Sequence, residues 1–322
     1  IMNTLGADVM RLWVAAADYR GEMSVSDEIL KRVSDAYRRI RNTIRFLLGN
    51  LDGFTPEQVL DAEDMLPLDR WAVDRALQLQ KQVKQAYDEY QFLQIYQKVH
   101  HFCAVDMGAF YLDILKDRLY TTAYDSPARR SAQTAMYHVL EAMVRWIAPV
   151  LSFTAEEIHQ HVPGKRSGSI FFEIWYEGLF ELNDAETGRQ RWQQIIAVRD
   201  AVTKSIETIR QDGKAGSSLA VEVELWLDGE IRNAIDWLGD ELRFVLLTSA
   251  ASCGDFSAAP ADAENIPLEG GRLALVVTPS EHEKCVRCWH YRADVGCNRD
   301  HPELCGRCVE NVAGKGETRR IA

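Results

Sequence analysis

The chain has 322 residues, of which 47% are apolar and 26% are charged, so it is an ordinary globular sequence that can bury a core without disulfides. Its net charge of −11 argues against a protein that coats nucleic acid non-specifically, because the overall field repels phosphate. A local basic surface remains compatible with that charge. There is no run of about 18 apolar residues and no signal-peptide pattern, so we expect a cytoplasmic protein without a membrane span.

The first half of the chain has the periodicity of α-helices. Gly6–Asp18 predicts one helix, and a second is predicted to run to about Gly49 from Ser26 or Asp27, either of which can cap it. Further helical stretches are predicted at residues 69–120 with a break near His100–Asp106, at Pro127–Ile147 behind a Ser126 cap, and at Thr154–His161, where Thr154 and Glu157 form a capping-box pattern. These elements predict a mainly α fold, with an antiparallel helix bundle at residues 1–163.

A small mixed α/β junction unit is predicted at residues 164–280. Leu219–Leu227 alternates apolar and polar residues, as a half-buried strand does. The other predicted elements are a long helix at Ala185–Asp212, short helices at Glu230–Leu238 and Asp240–Leu247, and a strand at Leu273–Thr278. The stretch Asp255–Gly271 is rich in Pro, Ala and Gly and is predicted to be a loop.

The tail at residues 281–322 holds five of the seven cysteines. Cys285-Val-Arg-Cys288 and Cys305-Gly-Arg-Cys308 are two Cys-x-x-Cys pairs with sixteen residues between them, a spacing typical of a zinc site. Four thiolates complete a tetrahedron and leave no open position, which predicts one structural zinc rather than a catalytic one. His290, Cys297 and His301 lie between the pairs, and each could replace a thiolate.

The loop between the cysteine pairs also contains Trp289, Tyr291 and Arg292. Aromatic side chains beside arginines suit stacking on unpaired bases. Packing of Trp289 over the zinc loop is an alternative that the sequence leaves open.

The densest positive segment is the second predicted helix, with six basic residues and one acidic residue between Lys31 and Arg45. Surface helices usually mix both signs, so the imbalance favours a phosphate partner over a solvated or internally paired face. The candidates for phosphate contacts are Lys31, Arg38, Arg39, Arg41 and Arg45. Arg129, Arg130, Arg145 and Trp146 are further candidates on a neighbouring helix.

We assign no catalytic residue from the sequence. There is no glycine-rich nucleotide loop of the Gly-x-x-x-x-Gly-Lys-Ser/Thr or Gly-x-Gly-x-x-Gly type, and no Gly-x-Ser-x-Gly elbow. His100, His101, His159 and His161 lie among apolar helix positions, so we interpret them as core or surface histidines rather than as a second metal site.

Over essentially its whole length the sequence resembles the C-terminal part of the bacterial isoleucyl-tRNA synthetase family. Leu5–Trp13 and Asp18-Tyr19 are similar to the segment after the family's catalytic domain, and Tyr37–Phe46 to the opening of its anticodon-binding bundle. Similar later motifs are Trp175–Phe180, Gly216–Leu219, Cys285–Tyr291, Cys305–Cys308 and Asn311–Gly314, of which the last three match the family's zinc tail.

The resemblance implies a bundle of the class Ia synthetase anticodon-binding type, which holds the tRNA for isoleucine by its anticodon stem-loop. It also implies a monomeric parent enzyme that attaches isoleucine to this tRNA with ATP. The family's His-x-Gly-His and Lys-Met-Ser-Lys-Ser signatures are absent here, and Glu22-Met-Ser-Val-Ser26 only mimics the second because Glu22 and Val25 replace lysines. We therefore expect this chain alone to be catalytically inactive.

Two other classes remain open from the sequence. A similar finger closes some DNA-repair glycosylases, but these require their own catalytic N-terminal domain, and a long helical bundle is the wrong partner, so no DNA is expected. A protein-docking helical module with a structural zinc tail is the second class, and it would show no salt-dependent binding of RNA.

Overall fold

The computed structural model describes residues 2–322, which fold as two compact units. The first unit is the chain up to Asp113 together with Arg130–Glu181, and the second is Ile114–Arg129 together with Leu182–Ala322. The prediction of a mainly helical protein with a small sheet is confirmed. No helix within residues 2–322 is long and apolar enough to cross a membrane.

Eight α-helices lie within residues 2–160, and a π-helix at Phe102–Tyr111 joins two of them. They are α1 (Met2–Leu5), α2 (Ala7–Ala16), α3 (Asp27–Asn50), α4 (Pro67–Asp88), α5 (Phe92–His101), α6 (Leu112–Thr121), α7 (Pro127–Ile147) and α8 (Ser152–His159). The apolar stripe of α3 is completely buried at Ile44 and Leu47, as are Met136 and Trp146 of α7. Burial of this stripe leaves the charged side of α3 at the surface of the first unit.

Two predicted caps are confirmed. The Ser26 hydroxyl accepts a hydrogen bond from the backbone N–H of Ile29 at 3.2 Å, at the start of α3. The Ser126 hydroxyl accepts one from Arg129 N–H at 3.2 Å, at the start of α7. In both cases a local side chain satisfies a helix donor that has no partner within the helix.

The break predicted near His100–Asp106 is wrong. The chain remains helical there and widens into the π-helix, whose Cys103 and Met107 side chains are completely buried. Gly108 permits this turn, because a Cβ at that position would lie 2.8 Å from the carbonyl oxygen of Cys103. The helix breaks earlier, between α4 and α5, where Tyr90 adopts a positive φ of 55°.

The capping box predicted from Thr154 and Glu157 is also wrong. Helix α8 begins two residues earlier, and its free N–H groups are satisfied by a carboxylate distant in the sequence. Asp8 of α2 accepts hydrogen bonds from Phe153 N–H at 3.3 Å and Thr154 N–H at 2.7 Å. Glu157 is thereby left to pair with Arg41 of α3, at 2.8 Å. A contact within the first unit has displaced the local capping pattern.

The second unit is built on a four-stranded sheet in the order β2-β1-β4-β3. Its remaining elements are α9 (Ala185–Gln211), β1 (Val221–Leu227), α10 (Gly229–Asp236), α11 (Leu242–Leu246), β2 (Ala250–Asp255), β3 (Glu264–Leu268), β4 (Gly271–Pro279) and α12 (Gly306–Ala313). Strand β1 runs parallel to β2 and antiparallel to β4. Its alternate residues Val221, Val223, Leu225 and Leu227 are buried, as predicted from their period of two.

The loop predicted at Asp255–Gly271 is partly wrong, because it contains β3. That strand pairs antiparallel with β4, and Glu264 lies opposite Leu275. Its sequence includes Pro267, which a strand tolerates at the edge of a sheet, and β3 is an edge strand. Pairing with β4 therefore defines this strand, while its own residue preferences do not.

The Asp8 contact gives a test of how α8 is capped. We expect Asp8→Ala to lower the free energy of unfolding by about 0.5–2 kcal/mol, because two helix N–H groups lose their acceptor. Glu157→Ala, which removes an exposed ion pair, should cost only about 0–1 kcal/mol. Urea unfolding followed by circular dichroism compares the two, and a larger loss for Glu157→Ala would contradict the capping role of Asp8.

Candidate functional site

The four paired cysteines converge on one point in the second unit. Cys285, Cys288, Cys305 and Cys308 are all buried, and their Sγ atoms lie within 4.8 Å of one another. The Sγ atoms of Cys288 and Cys305 are 3.7 Å apart. Tetrahedral zinc with bonds of about 2.3 Å places its sulfurs about 3.8 Å apart, so the cluster has the dimensions of such a site.

The backbone around each cysteine pair supports this convergence. Cys285 N–H donates to the carbonyl of His290 at 2.9 Å, and Trp289 N–H donates to the carbonyl of Cys285 at 2.9 Å, which closes the first turn. The N–H of Cys305 points at the Cys285 sulfur from 3.4 Å. Trp289 has a positive φ of 66°, a conformation that costs a bulky residue energy and that the turn imposes.

The ionisation of the thiols also fits a metal. Hydrogen bonds from Cys288 and then Cys308 lower the pKa of Cys305 below its usual range. The bonds with Cys288 and Cys305 raise the pKa of Cys308 far above its usual range. Deprotonation of all four thiols together is therefore unfavourable, and a divalent cation bound among the sulfurs would remove that penalty.

None of the three competing ligands belongs to this group of four cysteines, and His290 contacts it through a side-chain hydrogen bond to Cys288. Within residues 2–322 the four cysteines are the only group of side chains with metal-binding geometry. Cys297 is exposed, and His301 is half-buried. His290 is buried, but its Nδ1 faces Asp117 Oδ1 at 3.8 Å.

Helix α6 anchors both cysteine pairs through the arginine inside each of them. Arg287, in the first pair, donates to the carbonyl of Thr121 at 3.2 Å. Arg307, in the second pair, makes a two-pronged ion pair with Asp117 at 2.7 and 2.8 Å. Arg319 binds the same carboxylate at 2.6 Å. No sequence pattern indicates this network, because α6 and the tail are about 190 residues apart.

Asp117 is ionised in this setting. Its side chain is 10% exposed, and burial by itself would raise its pKa. The charges of Arg307 and then Arg319 outweigh burial and hold the pKa of Asp117 well below its usual range. The stabilisation is therefore complete above the unfolded pKa of about 3.9 and is lost as the pH falls below it.

The residues predicted to contact bases lie at one edge of the cysteine cluster. The Trp289 side chain is 59% exposed, so it does not pack over the zinc loop, and Lys284 Nζ lies 5.4 Å from its ring centre. Tyr291 and Arg292 are half-buried, and both are held at Ser249. Tyr291 N–H donates to the Ser249 hydroxyl at 2.6 Å, and the Arg292 guanidinium donates to the Ser249 carbonyl at 3.1 Å.

The basic side of α3 divides into paired and unpaired residues. Arg41 is bound to Glu157 through both guanidinium nitrogens, and Arg38 pairs with Asp35 at 3.2 Å. Within the part of the chain that the structure describes, the exposed side chains of Lys31, Arg39 and Arg45 make no ion pair. Arg39 and Arg45 are therefore the arginines of this set most available to an anion.

The additional candidates near α7 are used internally. Arg145 binds Glu141 at 2.5 Å and Glu173 at 2.7 Å, and Trp146 is completely buried. Arg130 donates to the side-chain oxygen of Gln58 at 3.0 Å, while Arg129 donates to the carbonyl of Leu119. These four residues therefore serve the fold through contacts within the protein.

Two protein families match this chain. The family described as the anticodon-binding domain of tRNA ligase matches residues 69–225, and the zinc finger found in FPG and IleRS matches residues 283–311. The chain is thus similar to the anticodon-binding domain of tRNA ligases over one segment and to the zinc finger found in FPG and IleRS over another. The zinc-finger match and the four-cysteine cluster together indicate zinc binding.

Comparison with curated proteins shows tRNA ligases to which the chain is similar in sequence. The chain is 60% identical over 321 residues to the isoleucine–tRNA ligase of Methylococcus capsulatus, and 58% identical over 325 residues to that of Alkalilimnicola ehrlichii. These alignments cover 99% and 100% of this chain and 34% of each relative. The chain is therefore a homologue of the C-terminal part of bacterial isoleucine–tRNA ligases, and it spans about a third of their length.

The anchoring role of Asp117 can be measured directly. We expect Asp117→Asn to lower the free energy of unfolding by about 3–5 kcal/mol, because two buried guanidinium groups lose their counter-charge. Asp212→Asn is the control, since Asp212 is exposed and pairs only at the surface, and it should change stability by less than about 0.5 kcal/mol. Equal losses for the two variants in urea unfolding would contradict the anchoring role.

Proposed function

We propose that this chain is the tRNA-recognition part of an enzyme that attaches isoleucine to its tRNA with ATP. The observation that supports this most directly is the identity of 55–60% with isoleucine–tRNA ligases over the whole chain. The similarity extends across both units, whereas a DNA-repair enzyme would share the finger alone. In this proposal ATP serves the catalytic part of a cytoplasmic, monomeric parent enzyme, and this chain supplies no catalytic residue.

One structural zinc held by Cys285, Cys288, Cys305 and Cys308 is part of the proposal. Two observations support it: the four Sγ atoms all lie within 4.8 Å of one another, and all four residues are buried. Thiolate coordination by four cysteines leaves no site for water or substrate, so the metal would stabilise the tail and perform no chemistry. His290, Cys297 and His301 remain outside the proposed ligand set.

The exposed cations of α3 are the proposed contacts to RNA phosphates. Lys31, Arg39 and Arg45 are exposed and carry no ion pair within residues 2–322, so an RNA phosphate does not have to displace an existing partner. Arg38 would have to share its charge with Asp35, and Arg41 with Glu157. Contacts of this kind position the RNA backbone and do not distinguish one base sequence from another.

Trp289, Tyr291 and Arg292 are the proposed contacts to bases. The exposed indole of Trp289 offers a face for stacking, and Ser249 fixes Tyr291 and Arg292 beside it. Unpaired bases of an RNA loop can be stacked on aromatic rings and on guanidinium planes. These three residues would therefore contact the bases of the loop.

The zinc assignment predicts a difference between two cysteines of the same tail. We expect the wild-type chain and Cys297→Ser to bind one zinc each, because Cys297 is exposed and outside the cluster. Cys305→Ser should lose the metal, and the tail should lose most of its folded structure with it. Metal analysis after dialysis measures the stoichiometry, and loss of zinc from Cys297→Ser would contradict the four-cysteine assignment.

The recognition function is tested with the zinc-loaded chain and two RNAs, the isoleucine tRNA and a copy with a different anticodon, each at two salt concentrations. We expect tighter binding of the native anticodon and weaker binding at higher salt. The double variant Arg39→Gln/Arg45→Gln should bind both RNAs more weakly. The slope of log affinity against log salt concentration should fall by about 0.7–0.9 for each lost phosphate contact.

Lys81→Gln is the matched control for this charge removal, because Lys81 is an exposed cation of the same unit that already pairs with Glu181. Its affinity and salt slope should equal those of the wild type. Equal binding of the two RNAs would refute anticodon recognition. No binding to either would favour a protein-docking module.

A further inference from the structure

A pocket of about 650 Å³ in the second unit is not explained by the cysteine cluster or by the fold. It lies between the segment around α11 and the last residues of the chain, from Glu317 to Ile321. Five arginines line it, namely Arg243, Arg292, Arg307, Arg319 and Arg320, and we call it the arginine pocket. Only three carboxylates, those of Asp240, Glu241 and Glu317, line the same pocket.

Most of the carboxylate charge near the pocket is already in use. Asp117 and Glu317 are bound to Arg307 and Arg319 at 2.6–3.1 Å. Glu241 accepts hydrogen bonds from the backbone N–H groups of residues 320, 321 and 322 at 2.6–3.0 Å, which fixes the end of the chain as one wall. Glu241 and Glu317 are therefore occupied, and exposed Asp240 is the one lining carboxylate within residues 2–322 that makes neither an ion pair nor a hydrogen bond.

Arg243 is the cation that remains uncompensated. Within residues 2–322 it donates no hydrogen bond and makes no ion pair, and its guanidinium carbon lies 4.2 Å from the ring centre of Phe244. Burial, with repulsion from Arg307 and Arg292, lowers the pKa of Arg243 to about 10. Packing on Phe244 accounts for the position of its side chain but leaves this accumulation of like charge unexplained.

An anion in the pocket would relieve the repulsion. Guanidinium groups bind multi-oxygen anions through parallel N–H donors, and phosphate is the anion for which several arginines commonly converge. Arg292 both lines the pocket and follows Tyr291 in the proposed base-binding loop. The pocket is therefore placed to take a phosphate from the same RNA whose bases that loop would contact.

We propose that the arginine pocket binds a backbone phosphate of the RNA, with Arg243 as its principal donor and Arg320 as a second. This inference rests on the proposed function as far as the source of the phosphate is concerned. Its two proposed donors, Arg243 and Arg320, lie outside both the zinc-finger match and the basic helix.

The test uses the zinc-loaded full chain with two probes, inorganic phosphate and the isoleucine tRNA. Arg243→Gln removes the uncompensated charge, and Arg320→Gln removes an exposed side chain that holds no structural contact. Arg232→Gln is the matched control, because Arg232 lies on α10, pairs with Asp236 and does not line the pocket. Zinc content and circular dichroism confirm that each variant is folded.

At constant ionic strength, phosphate should raise the melting temperature of the wild type and of Arg232→Gln more than chloride does, and Arg243→Gln should lose this difference. For tRNA, Arg243→Gln should weaken binding about tenfold, as expected for a lost charged hydrogen bond, and reduce the salt slope by about 0.7–0.9. Arg320→Gln should shift both quantities in the same direction by a smaller factor.

The two proposals fail in different ways. If the wild type binds tRNA and both pocket variants bind it with unchanged affinity and slope, the pocket inference is overturned and the proposed function stands. If the wild type binds no tRNA, the proposed function fails, and RNA as the source of the phosphate fails with it. If phosphate gives no stabilisation beyond chloride, the pocket is not a phosphate site at all.

Discussion

The second unit depends on one buried carboxylate, that of Asp117. It neutralises Arg307 between the cysteines of the second pair and Arg319 near the end of the chain. A cysteine-rich tail with few large apolar residues has little core of its own, so its orientation has to come from specific contacts with its surroundings. Asp117 supplies such a contact with helix α6. Together with the hydrogen bonds at Ser249 and Glu241, it holds the tail within the second unit.

The two arginines that hold the tail to α6 each lie inside a Cys-x-x-Cys pair. Arg307 lies between Cys305 and Cys308, and Arg287 lies between Cys285 and Cys288, so each residue that holds the tail to α6 also positions two sulfurs. Four thiolates around a divalent cation carry a net negative charge, and nearby guanidinium groups reduce the cost of that charge. Metal binding and docking of the tail are thus coupled through the same two side chains.

Charge is distributed very unevenly in this acidic chain. The net charge of −11 coexists with a basic face on α3 and with five arginines around one pocket. Where a carboxylate faces these cations, as Glu157 faces Arg41 and Asp117 faces Arg307, the pair stabilises the fold. Where none does, as at Arg39, Arg45 and Arg243, the charge remains available to a ligand. The distinction between paired arginines and those available to a ligand therefore follows from their neighbours and not from their residue type.

The sequence by itself determined those features that depend on local spacing. The cysteine pairs converge as their spacing predicts, the apolar stripe of α3 is buried, the alternation of β1 is observed, and the caps at Ser26 and Ser126 form. Each depends on residues within a few positions of one another, whose geometry is set by the backbone of a helix, strand or turn.

Only the tertiary structure decided the contacts between distant segments. Asp8 rather than Thr154 caps α8, pairing with β4 makes Glu264–Leu268 a strand, and Asp117 meets Arg307 across about 190 residues. The same is true of the arginine pocket, whose lining comes from five separate stretches of the second unit. Such contacts form because folding buries polar groups that must then find partners, and a sequence pattern shows the group but not the partner that burial brings to it.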